Sequence, residues 1–286
     1  MAPMNTARST DGTTIAYETR GEGPALILVD GALCHREMGP SRALAKLLSE
    51  HFTVITYDRR GRGESTDTAP YSVEREIDDL AALIDAAGGS AHLCGFSSGA
   101  VLALDAAARG LPVTGLALYE PPFIVDDTRA PAPADYVEQL EALLASNRRG
   151  DSVRLFMRHV GMPAPLVWLM RFTPAWGKLQ RVAHTLPYDG AIMGDTQLGN
   201  PLPADRWPGT KVRTLVIAGG KSPAFFHNGT RMLADLLPNG EHRVLAGQTH
   251  MVKAKVLAPV LVDYFTGERA ASADRAEAVV LGTAVA

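Results

Sequence analysis

Ser97 stands in the run Gly95-Phe96-Ser97-Ser98-Gly99, between a predicted strand and a predicted helix. A sharp strand-to-helix turn strains its central residue, and small flanking residues relieve the clash of neighbouring side chains. The helix that follows directs its first N–H groups toward whatever the serine attacks. This setting predicts that Ser97 is a nucleophile. The alternative interpretation is a plain glycine-rich turn. Ser98 offers a competing hydroxyl, but its position one residue later suits the donor of a backbone N–H better than a nucleophile.

The elements around this motif alternate between strand and helix from residue 24 to about residue 120. Short continuous apolar runs, such as residues 24–31, are typical of strands buried on both faces. The alternation predicts an α/β fold with a mostly parallel sheet covered by helices on both sides. After residue 122 only helical patterns follow, until strand and helix alternate again near the C-terminus. The predicted division is an α/β core of residues 1–122 and 206–266, a helical cap of residues 123–205, and a flexible tail of residues 267–286.

Together these motifs resemble those of the α/β-hydrolase fold superfamily over about residues 10–265. Residues 57–65, YDRRGRGES, are similar to the turn that follows the fourth strand in that family. The strand and turn that end in Asp30-Gly31 resemble the segment that supplies an oxyanion donor, although the family usually has His-Gly there. The resemblance implies an α/β-hydrolase fold with its helical cap inserted after strand 6.

One of the eight histidines is expected to serve as the general base. His250 lies in a loop after the last predicted strand and before the last predicted helix. The chain order serine, acid, histidine of this fold places the base there. It would take the proton of Ser97 during attack and return it to the leaving group. His227 and His35 are alternatives only as residues near the pocket.

A base histidine needs a carboxylate on its other ring nitrogen. Ser222, however, occupies the place after the strand VRTLVIAGG where the fold usually puts that acid. The preceding strand offers a second location, because it ends in Glu120 followed by two prolines. Glutamate is rarely placed at the end of a buried strand without a partner, and His250 is the best partner available. In the alternative interpretation Glu120 only caps the strand or pairs with Arg59. More distant candidates for the acid are Asp126, Asp127 and Asp235.

A distant resemblance to zearalenone-type lactone hydrolases favours Glu120. Those enzymes carry Asp-Gly in place of His-Gly, a Ser-Ser-Gly elbow and a catalytic glutamate after the sixth strand. Asp30-Gly31, Ser97-Ser98-Gly99 and Glu120 occupy the matching places here. Residues 219–226, GGKSPAFF, resemble the acid-free loop of that branch. The resemblance therefore implies a Ser97–Glu120–His250 triad, and it says little about the substrate.

Two backbone N–H groups are expected to hold the oxyanion that forms during attack. Ser98 supplies one, and either Gly31 or Ala32 in the turn DGALC supplies the other. Each such donor typically contributes about 3–4 kcal/mol of transition-state stabilisation. The sequence locates this turn but leaves open which of its two amides points inward. Asp30 is predicted to hold the turn through an Asx-type hydrogen bond.

Apolar side chains of the cap and of neighbouring loops are predicted to surround the site. Leu33, Cys34, Trp168 and Phe225 are the candidate substrate-binding residues. Packing within the core of the cap is the alternative role for each apolar side chain. Such a region favours a sizeable hydrophobic substrate with one polar group. Further apolar residues of the same region are Met170, Phe172, Trp176 and Phe226.

The composition of the 286-residue chain excludes several classes of protein. A net charge of −3 provides no basic field for nucleic acid or for an anionic membrane. Cys34 and Cys94 are predicted to be buried thiols rather than a disulfide. The absence of an apolar leader and of a run of about 20 apolar residues predicts a cytoplasmic protein. No metal or cofactor is predicted, because no cluster has ligand spacing and no glycine-rich run opens a dinucleotide-binding unit. The sequence leaves the oligomeric state open: a homo-oligomer is possible, although nothing indicates one.

The sequence favours a serine hydrolase that cleaves a carboxylic ester or lactone of a fairly apolar small molecule through an acyl-enzyme. One alternative is a non-hydrolytic enzyme, such as a lyase, that uses the same site. A second is a ligand-binding protein derived from an enzyme, which is less favoured because all three triad roles are filled. A haloalkane dehalogenase is disfavoured, because Ser97 replaces the nucleophilic aspartate of that family.

Overall fold

The computed structural model describes residues 4–267 of the chain. Its strands are β1 (Met4–Arg8), β2 (Thr14–Arg20), β3 (Ala25–Val29), β4 (Thr53–Tyr57), β5 (Ala91–Phe96), β6 (Val113–Tyr119), β7 (Thr214–Gly219) and β8 (Gly240–Leu245). Its α-helices are α1 (Ser41–Leu48), α2 (Val73–Ala86), α3 (Ser98–Ala108), α4 (Tyr136–Ala145), α5 (Arg149–His159), α6 (Ala164–Met170), α7 (Pro174–Val182), α8 (Leu186–Met193), α9 (Ala224–Leu236) and α10 (Ala254–Thr266). Within residues 4–267, none of these helices has the length and apolar character needed to cross a bilayer.

The strands form one sheet in the order β1-β2-β4-β3-β5-β6-β7-β8. The strands β1 and β2 are antiparallel, as are β2 and β4, whereas all neighbouring strands from β4 to β8 are parallel. Parallel neighbours need long crossover connections, and helices supply these. The mostly parallel sheet of the α/β-hydrolase fold, predicted from the alternation of strands and helices, is confirmed.

Each face of the sheet is covered by its own hydrophobic cluster, because side chains of a strand alternate between faces. In β3, Ile27 and Val29 join a cluster with buried residues of α2, α3 and α9. Leu26 and Leu28 face the other way and pack with buried residues of α1 and α10. The two clusters hold the carboxyl ends of the parallel strands at one edge of the sheet, where Ser97 and Glu120 follow β5 and β6.

The segment between β6 and β7 is helical, as the sequence predicts. Residues 123–205, all of which the structure describes, contain α4 to α8 and no strand. Buried side chains from α4, α5, α6, α7 and α8 form a separate hydrophobic cluster that also includes Leu33. The division of the chain into core and cap domains remains a prediction. From residue 268 onward, the predicted tail lies outside the described residues.

Candidate active site

Ser97 occupies the sharp turn between β5 and α3. Its backbone has φ 55° and ψ −126°, a conformation that costs a non-glycine residue about 1–3 kcal/mol. A Cβ added at Gly95 would lie 2.5 Å from the Cα of Ala100, and one at Gly99 would lie 2.3 Å from the carbonyl oxygen of Val29. Glycine at both positions therefore permits the close packing of strand and helix. The structure has the strained strand-to-helix turn that the sequence predicts.

The register of two neighbouring strands brings Ser97 and Glu120 to the same edge of the sheet. Phe96, the last residue of β5, pairs with Tyr119, the last residue of β6. Each strand therefore delivers its next residue, Ser97 or Glu120, at the same level. The N–H of Ser97 also donates to the carbonyl of Tyr119 at 3.0 Å, which locks the two strand ends together.

The carboxylate of Glu120 contacts the ring of His250. Its Oε2 lies 2.8 Å from Nδ1 of His250, and its Oε1 accepts a 2.6 Å hydrogen bond from the N–H of Gly219. The Glu120 side chain is fully buried and its backbone φ is 46°, a left-handed value that is uncommon outside glycine. Because Nδ1 is engaged, Nε2 is the ring nitrogen that can serve a reacting group.

The loop that carries His250 is fixed on several sides. The hydroxyl of Tyr119 donates to the carbonyl of Thr249 at 2.6 Å, and the N–H of Lys221 donates to the carbonyl of Gln248 at 2.7 Å. The ring of Phe226 stacks on the imidazole with centroids 4.8 Å apart. These contacts hold the imidazole against Glu120, so the pairing is part of the folded structure rather than a chance contact of a free side chain.

The alternative partner of Glu120 and one of the alternative acids form other contacts. Arg59 forms ion pairs with Glu76 at 2.6 Å and with Asp189 at 2.7 Å, so the alternative in which Glu120 pairs with Arg59 is wrong. Asp126 accepts hydrogen bonds from Thr128 and Asn228. Glu120 is therefore the carboxylate that the fold brings to His250.

Ser222 lies where the more usual acid of this fold would stand, in the turn after β7. It is 9% exposed, and within the described residues its Oγ has no hydrogen-bond partner. A buried hydroxyl without a partner contributes nothing favourable and typically costs about 1–3 kcal/mol. The residue thus fills the position sterically without providing a charge for the imidazole.

The predicted oxyanion turn lies directly against the nucleophile. A Cβ added at Gly31 would lie 2.9 Å from the Cβ of Ser97 and 3.6 Å from its Oγ, so only glycine fits at this approach. Leu33 in the same turn has φ 60°, and its buried side chain packs in the hydrophobic cluster of the cap. Backbone strain of this kind persists where the surrounding structure imposes it and concentrates at functional sites. Among the described residues, the non-glycine positions with positive φ are Leu33, Ser97, Glu120 and Asn147.

A network of buried charged side chains surrounds this turn, and it was not predicted from the sequence. Arg62 donates to the carbonyl of Gly31 at 2.6 Å and forms an ion pair with Asp189 of α8 at 2.7 Å. Asp189 also accepts a hydrogen bond from the Oγ of Ser98 at 2.8 Å. The only sequence signal was the run of three arginines in YDRRGRGES, because arginine is rarely buried without an anion.

Asp30 differs from its predicted role. In the described part of the chain its carboxylate accepts a 2.6 Å hydrogen bond from the Oγ of Ser41, rather than closing an Asx-type bond within the turn. Burial raises its pKa to about 7, against the opposing effects of the Ser41 hydrogen bond and of the positive charges of Arg62 and Arg59. Asp30 is therefore a structural group that gains or loses a proton near neutral pH.

Replacing Asp30 with Asn should make the free energy of unfolding less dependent on pH. An unfolded aspartate titrates near pH 4, whereas the folded carboxyl has a pKa of about 7. Between these values the folded state holds a proton that the unfolded state lacks, so the wild-type protein loses stability as pH rises. The loss should be at most about 3 kcal/mol between pH 5 and pH 8.

Urea unfolding of both proteins at these two pH values measures the effect. Since asparagine does not titrate, the stability of Asp30→Asn relative to wild type should increase from pH 5 to pH 8. An unchanged difference between the two proteins would show that Asp30 is ionised throughout this range.

The candidate substrate-binding residues differ in their surroundings. Phe225 is buried beside Phe226 and Ile124, and Phe226 contacts His250, so this apolar group reaches the imidazole. The Cys34 thiol has its pKa raised to about 12, chiefly by burial and then by the nearby charge of Asp30. A thiol in that state is not a nucleophile at neutral pH.

Trp168 is largely exposed. Its side chain is 58% exposed on α6 and packs edge-on against Phe172, with centroids 5.0 Å apart. Phe172 is itself 71% exposed. The alternative in which these two side chains pack within the core of the cap is wrong, because both are largely exposed. Contact of Trp168 with the substrate stays a prediction. Trp176, by contrast, is buried within the hydrophobic cluster of the cap.

Comparison with known proteins agrees with the fold. A family model described as the alpha/beta hydrolase family matches residues 29–258. The chain is 52% identical to an alpha/beta hydrolase from Sphaerobacter thermophilus, with a TM-score of 0.85 over 91% of this chain and 100% of that chain. The enol-lactonase from Burkholderia xenovorans is 24% identical with a TM-score of 0.66, over 92% of this chain and 100% of that chain. At this identity the similarity shows the fold alone.

A curated relative from Bacillus subtilis, named uncharacterized hydrolase YraK, is 30% identical over 151 residues. That match covers 51% of this chain and 55% of the relative, so it spans only about half of each protein. The family model spans far more of the chain than this pairwise match does. The topology of the sheet, the strained turn at Ser97 and the matched residues 29–258 lead to one assignment. The chain belongs to the alpha/beta hydrolase family.

Proposed function

We propose that the protein is a serine hydrolase that cleaves a carboxylic ester or lactone of a fairly apolar small molecule. The observation that carries the proposal is the 2.8 Å contact between Glu120 and Nδ1 of His250, at the same sheet edge as the strained turn of Ser97. Acyl transfer requires a nucleophile, a base that takes its proton and an acid that supports the base. The 52% identity to an alpha/beta hydrolase from Sphaerobacter thermophilus supports a hydrolytic reaction and does not define the bond that is cleaved.

In the proposed reaction, the Oγ of Ser97 attacks the carbonyl carbon while Nε2 of His250 takes the hydroxyl proton. The backbone N–H of Ser98 and an N–H of the turn at Gly31-Ala32 stabilise the resulting oxyanion. The tetrahedral intermediate collapses to an acyl-enzyme, and the imidazolium returns its proton to the departing alkoxide. A water molecule, deprotonated by His250, then releases the acid and restores Ser97. Protein groups and water complete the cycle without a cofactor.

Glu120 has two tasks in this scheme. Its carboxylate accepts a hydrogen bond from Nδ1–H, so the proton stays on Nδ1 and the imidazole presents its unprotonated Nε2 to Ser97. Its negative charge also stabilises the imidazolium once the proton has been taken. The hydrogen bond from Gly219 at 2.6 Å fixes the orientation of the carboxylate. Complete burial strengthens the interaction, because charges attract more strongly away from water.

The substrate is proposed to be a small molecule that is largely apolar beside its reacting carbonyl. The supporting observation is the apolar group formed by Ile124, Phe225 and Phe226, which reaches the imidazole through the stack of Phe226 on His250. Apolar walls with few polar groups are typical of small-molecule sites. Trp168 is largely exposed and does not belong to this apolar group.

A fluorophosphonate probe combined with a panel of chromogenic esters and lactones tests the proposed function. Covalent labelling at Ser97, mapped by peptide mass spectrometry, together with turnover of an ester or lactone, is the expected result. Labelling of Ser97 without turnover of any compound would favour a non-hydrolytic reaction at the same site. Absence of labelling in the folded protein would contradict a nucleophilic Ser97.

Ser222→Ala should leave catalysis nearly unchanged. The Oγ of Ser222 is buried without a partner in the described residues, so its removal breaks no hydrogen bond. We expect kcat/KM within about twofold of wild type and an equal or higher Tm, because removing a buried unpaired hydroxyl can be neutral or stabilising. Ester turnover and thermal unfolding measure the two quantities. A loss of a hundredfold or more would show that the Ser222 hydroxyl itself contributes to catalysis.

A further inference from the structure

Asp189 lies on α8 of the cap, yet it contacts one of the two segments that are expected to hold the oxyanion and reaches the other through Arg62. Its Oδ1 accepts from the Oγ of Ser98 at 2.8 Å and from Arg59 at 2.7 Å. Its Oδ2 accepts from Arg62 at 2.7 Å. The side chain is buried. One cap carboxylate therefore joins the first residue of α3 to the arginine beside the oxyanion turn.

Arg62 carries this connection to the backbone of the turn. Its Nη1 donates to the carbonyl of Gly31 at 2.6 Å and to the carbonyl of Cys34 at 3.3 Å. Its Nε donates to the Oγ1 of Thr185, also in the cap, at 3.0 Å. The guanidinium is thus hydrogen-bonded to cap residues on one side and to carbonyl groups of the turn on the other.

Because the peptide bond is planar, the hydrogen bond from Arg62 to the carbonyl of Gly31 also fixes the direction of the next N–H group, that of Ala32. In a trans peptide, the carbonyl of one residue and the N–H of the next point in opposite directions. Because Arg62 holds the carbonyl of Gly31, the N–H of Ala32 must point away from the guanidinium. Gly31 itself lies against Ser97, since an added Cβ would come within 2.9 Å of the Cβ of Ser97. The peptide that borders the nucleophile is therefore the one that Arg62 orients.

We propose that Asp189 is a positioning residue for the oxyanion hole, and that the donor from the turn is the N–H of Ala32 rather than that of Gly31. Asp189 acts through Arg62 on the Gly31-Ala32 peptide and through the Ser98 hydroxyl on the residue that supplies the second donor. This inference rests on the proposed function, because it concerns the donors of that reaction. It also makes the oxyanion hole depend on a docked cap.

The charge state of Asp189 agrees with this role. Burial alone would raise its pKa, but the positive charges of Arg62 and Arg59 outweigh burial and lower the pKa below its usual value. Asp189 is therefore a carboxylate at neutral pH, and it holds Arg62 by charge as well as by hydrogen bonding. A neutral amide at this position would keep the shape and lose the charge.

Asp189→Asn tests the proposal against a matched control, Asp79→Asn. Asp79 is also buried and pairs with Arg60 at 2.7 Å, a neighbour in the same turn that does not contact Gly31. Both substitutions break a buried ion pair, so both should lower Tm. We expect kcat to fall about 100-fold in Asp189→Asn, as for loss of one oxyanion donor. In Asp79→Asn it should stay within about threefold, since separated sites act independently.

The second readout is the affinity for a tetrahedral analogue. An alkylboronic acid forms a bond between boron and the Oγ of Ser97, while the hydroxyl proton passes to His250, so the adduct carries a negative charge in the oxyanion hole. Its inhibition constant should rise about 100-fold in Asp189→Asn, in parallel with kcat. That of the planar carboxamide with the same alkyl chain should change less than about threefold, because it lacks this charge. Equal effects on the two inhibitors would overturn the proposal.

Thr185→Val is the second variant, and it applies if Asp189→Asn does not fold. It removes the acceptor of Arg62 Nε, together with the hydrogen bond that the Thr185 hydroxyl donates to the carbonyl of Val182 at 2.9 Å, in a side chain of nearly equal shape. It should lower kcat about tenfold with an unchanged KM, a fraction of one donor's effect. The identity of the donor is tested by placing lactic acid at position 32, which replaces the N–H of Ala32 by an ester oxygen. A loss of about 100- to 1,000-fold is expected, and full activity would overturn the assignment.

These outcomes separate the inference from the proposed function. If the wild-type protein hydrolyses no ester or lactone, the proposed function fails, whatever Asp189 does. If the wild type is active and Asp189→Asn loses no more activity than Asp79→Asn, the proposed function stands and the positioning role of Asp189 is wrong.

Discussion

Ser97→Ala is expected to abolish ester hydrolysis, with kcat lowered by about 10⁴- to 10⁶-fold, the range found when the nucleophile of a serine hydrolase is removed. Alanine leaves the backbone of the strained turn occupied by a small residue but provides no oxygen to attack the carbonyl. The acyl-enzyme then cannot form, and the imidazole can act only on water. Steady-state turnover and fluorophosphonate labelling, measured on the same preparation, give the result.

Ser222→Ala is the matched control for Ser97→Ala, because both remove one hydroxyl from a buried turn at the carboxyl edge of the sheet. It should keep wild-type turnover and labelling, while Ser97→Ala loses both. Activity of Ser97→Ala within about tenfold of wild type would exclude a serine nucleophile, because removal of the nucleophile should lower kcat by several orders of magnitude. The remaining candidate would then be a reaction in which the pocket only orients the substrate.

Glu120→Gln is expected to lower kcat by about 10³- to 10⁴-fold with a folded protein and a nearly unchanged KM. Glutamine fits the same space and can still accept the hydrogen bond from Gly219. It carries no charge, so the imidazolium that forms during attack loses its stabilising partner. Its amide can also donate to Nδ1 of His250, which would favour the tautomer with the proton on the wrong nitrogen.

The change should act on the chemical step rather than on binding. Pre-steady-state measurement of acyl-enzyme formation with a chromogenic ester separates the two, because the burst rate reports the attack by Ser97. Glu120→Asp keeps the charge but shortens the side chain, so its loss should be smaller than that of Glu120→Gln. If Glu120→Gln kept near-wild-type kcat, some other anion would be supporting the imidazole.

The positions of Ser97, Glu120 and His250 could be predicted because strand order and register set them. Parallel strands deliver their last residues to one edge, and Phe96 opposite Tyr119 puts the next residues of β5 and β6 side by side. The missing acid at Ser222 was visible as a residue type that cannot carry a charge. Local patterns and the known order of the fold therefore sufficed to predict the Glu120–His250 contact.

The network of Asp189 could not be predicted, for a different physical reason. Asp189 lies 91 positions from Ser98 and 127 positions from Arg62 in the sequence. Its hydrogen bonds to them therefore depend on how the cap helices dock on the core. Helical periodicity says which side of a helix is apolar, but it does not say which helix that side meets. The same limit explains Trp168, whose apolar character suggested burial although α6 exposes it.

If the charge of Glu120 holds the proton on Nδ1 of His250, nitrogen-15 NMR of histidine-labelled protein should detect that proton. We expect a low-field Nδ1–H signal of His250 in wild type and in Ser222→Ala, and its loss in Glu120→Gln. A low-field signal that persists unchanged in folded Glu120→Gln, or a neutral His250 protonated on Nε2 in wild type, would contradict this role of Glu120.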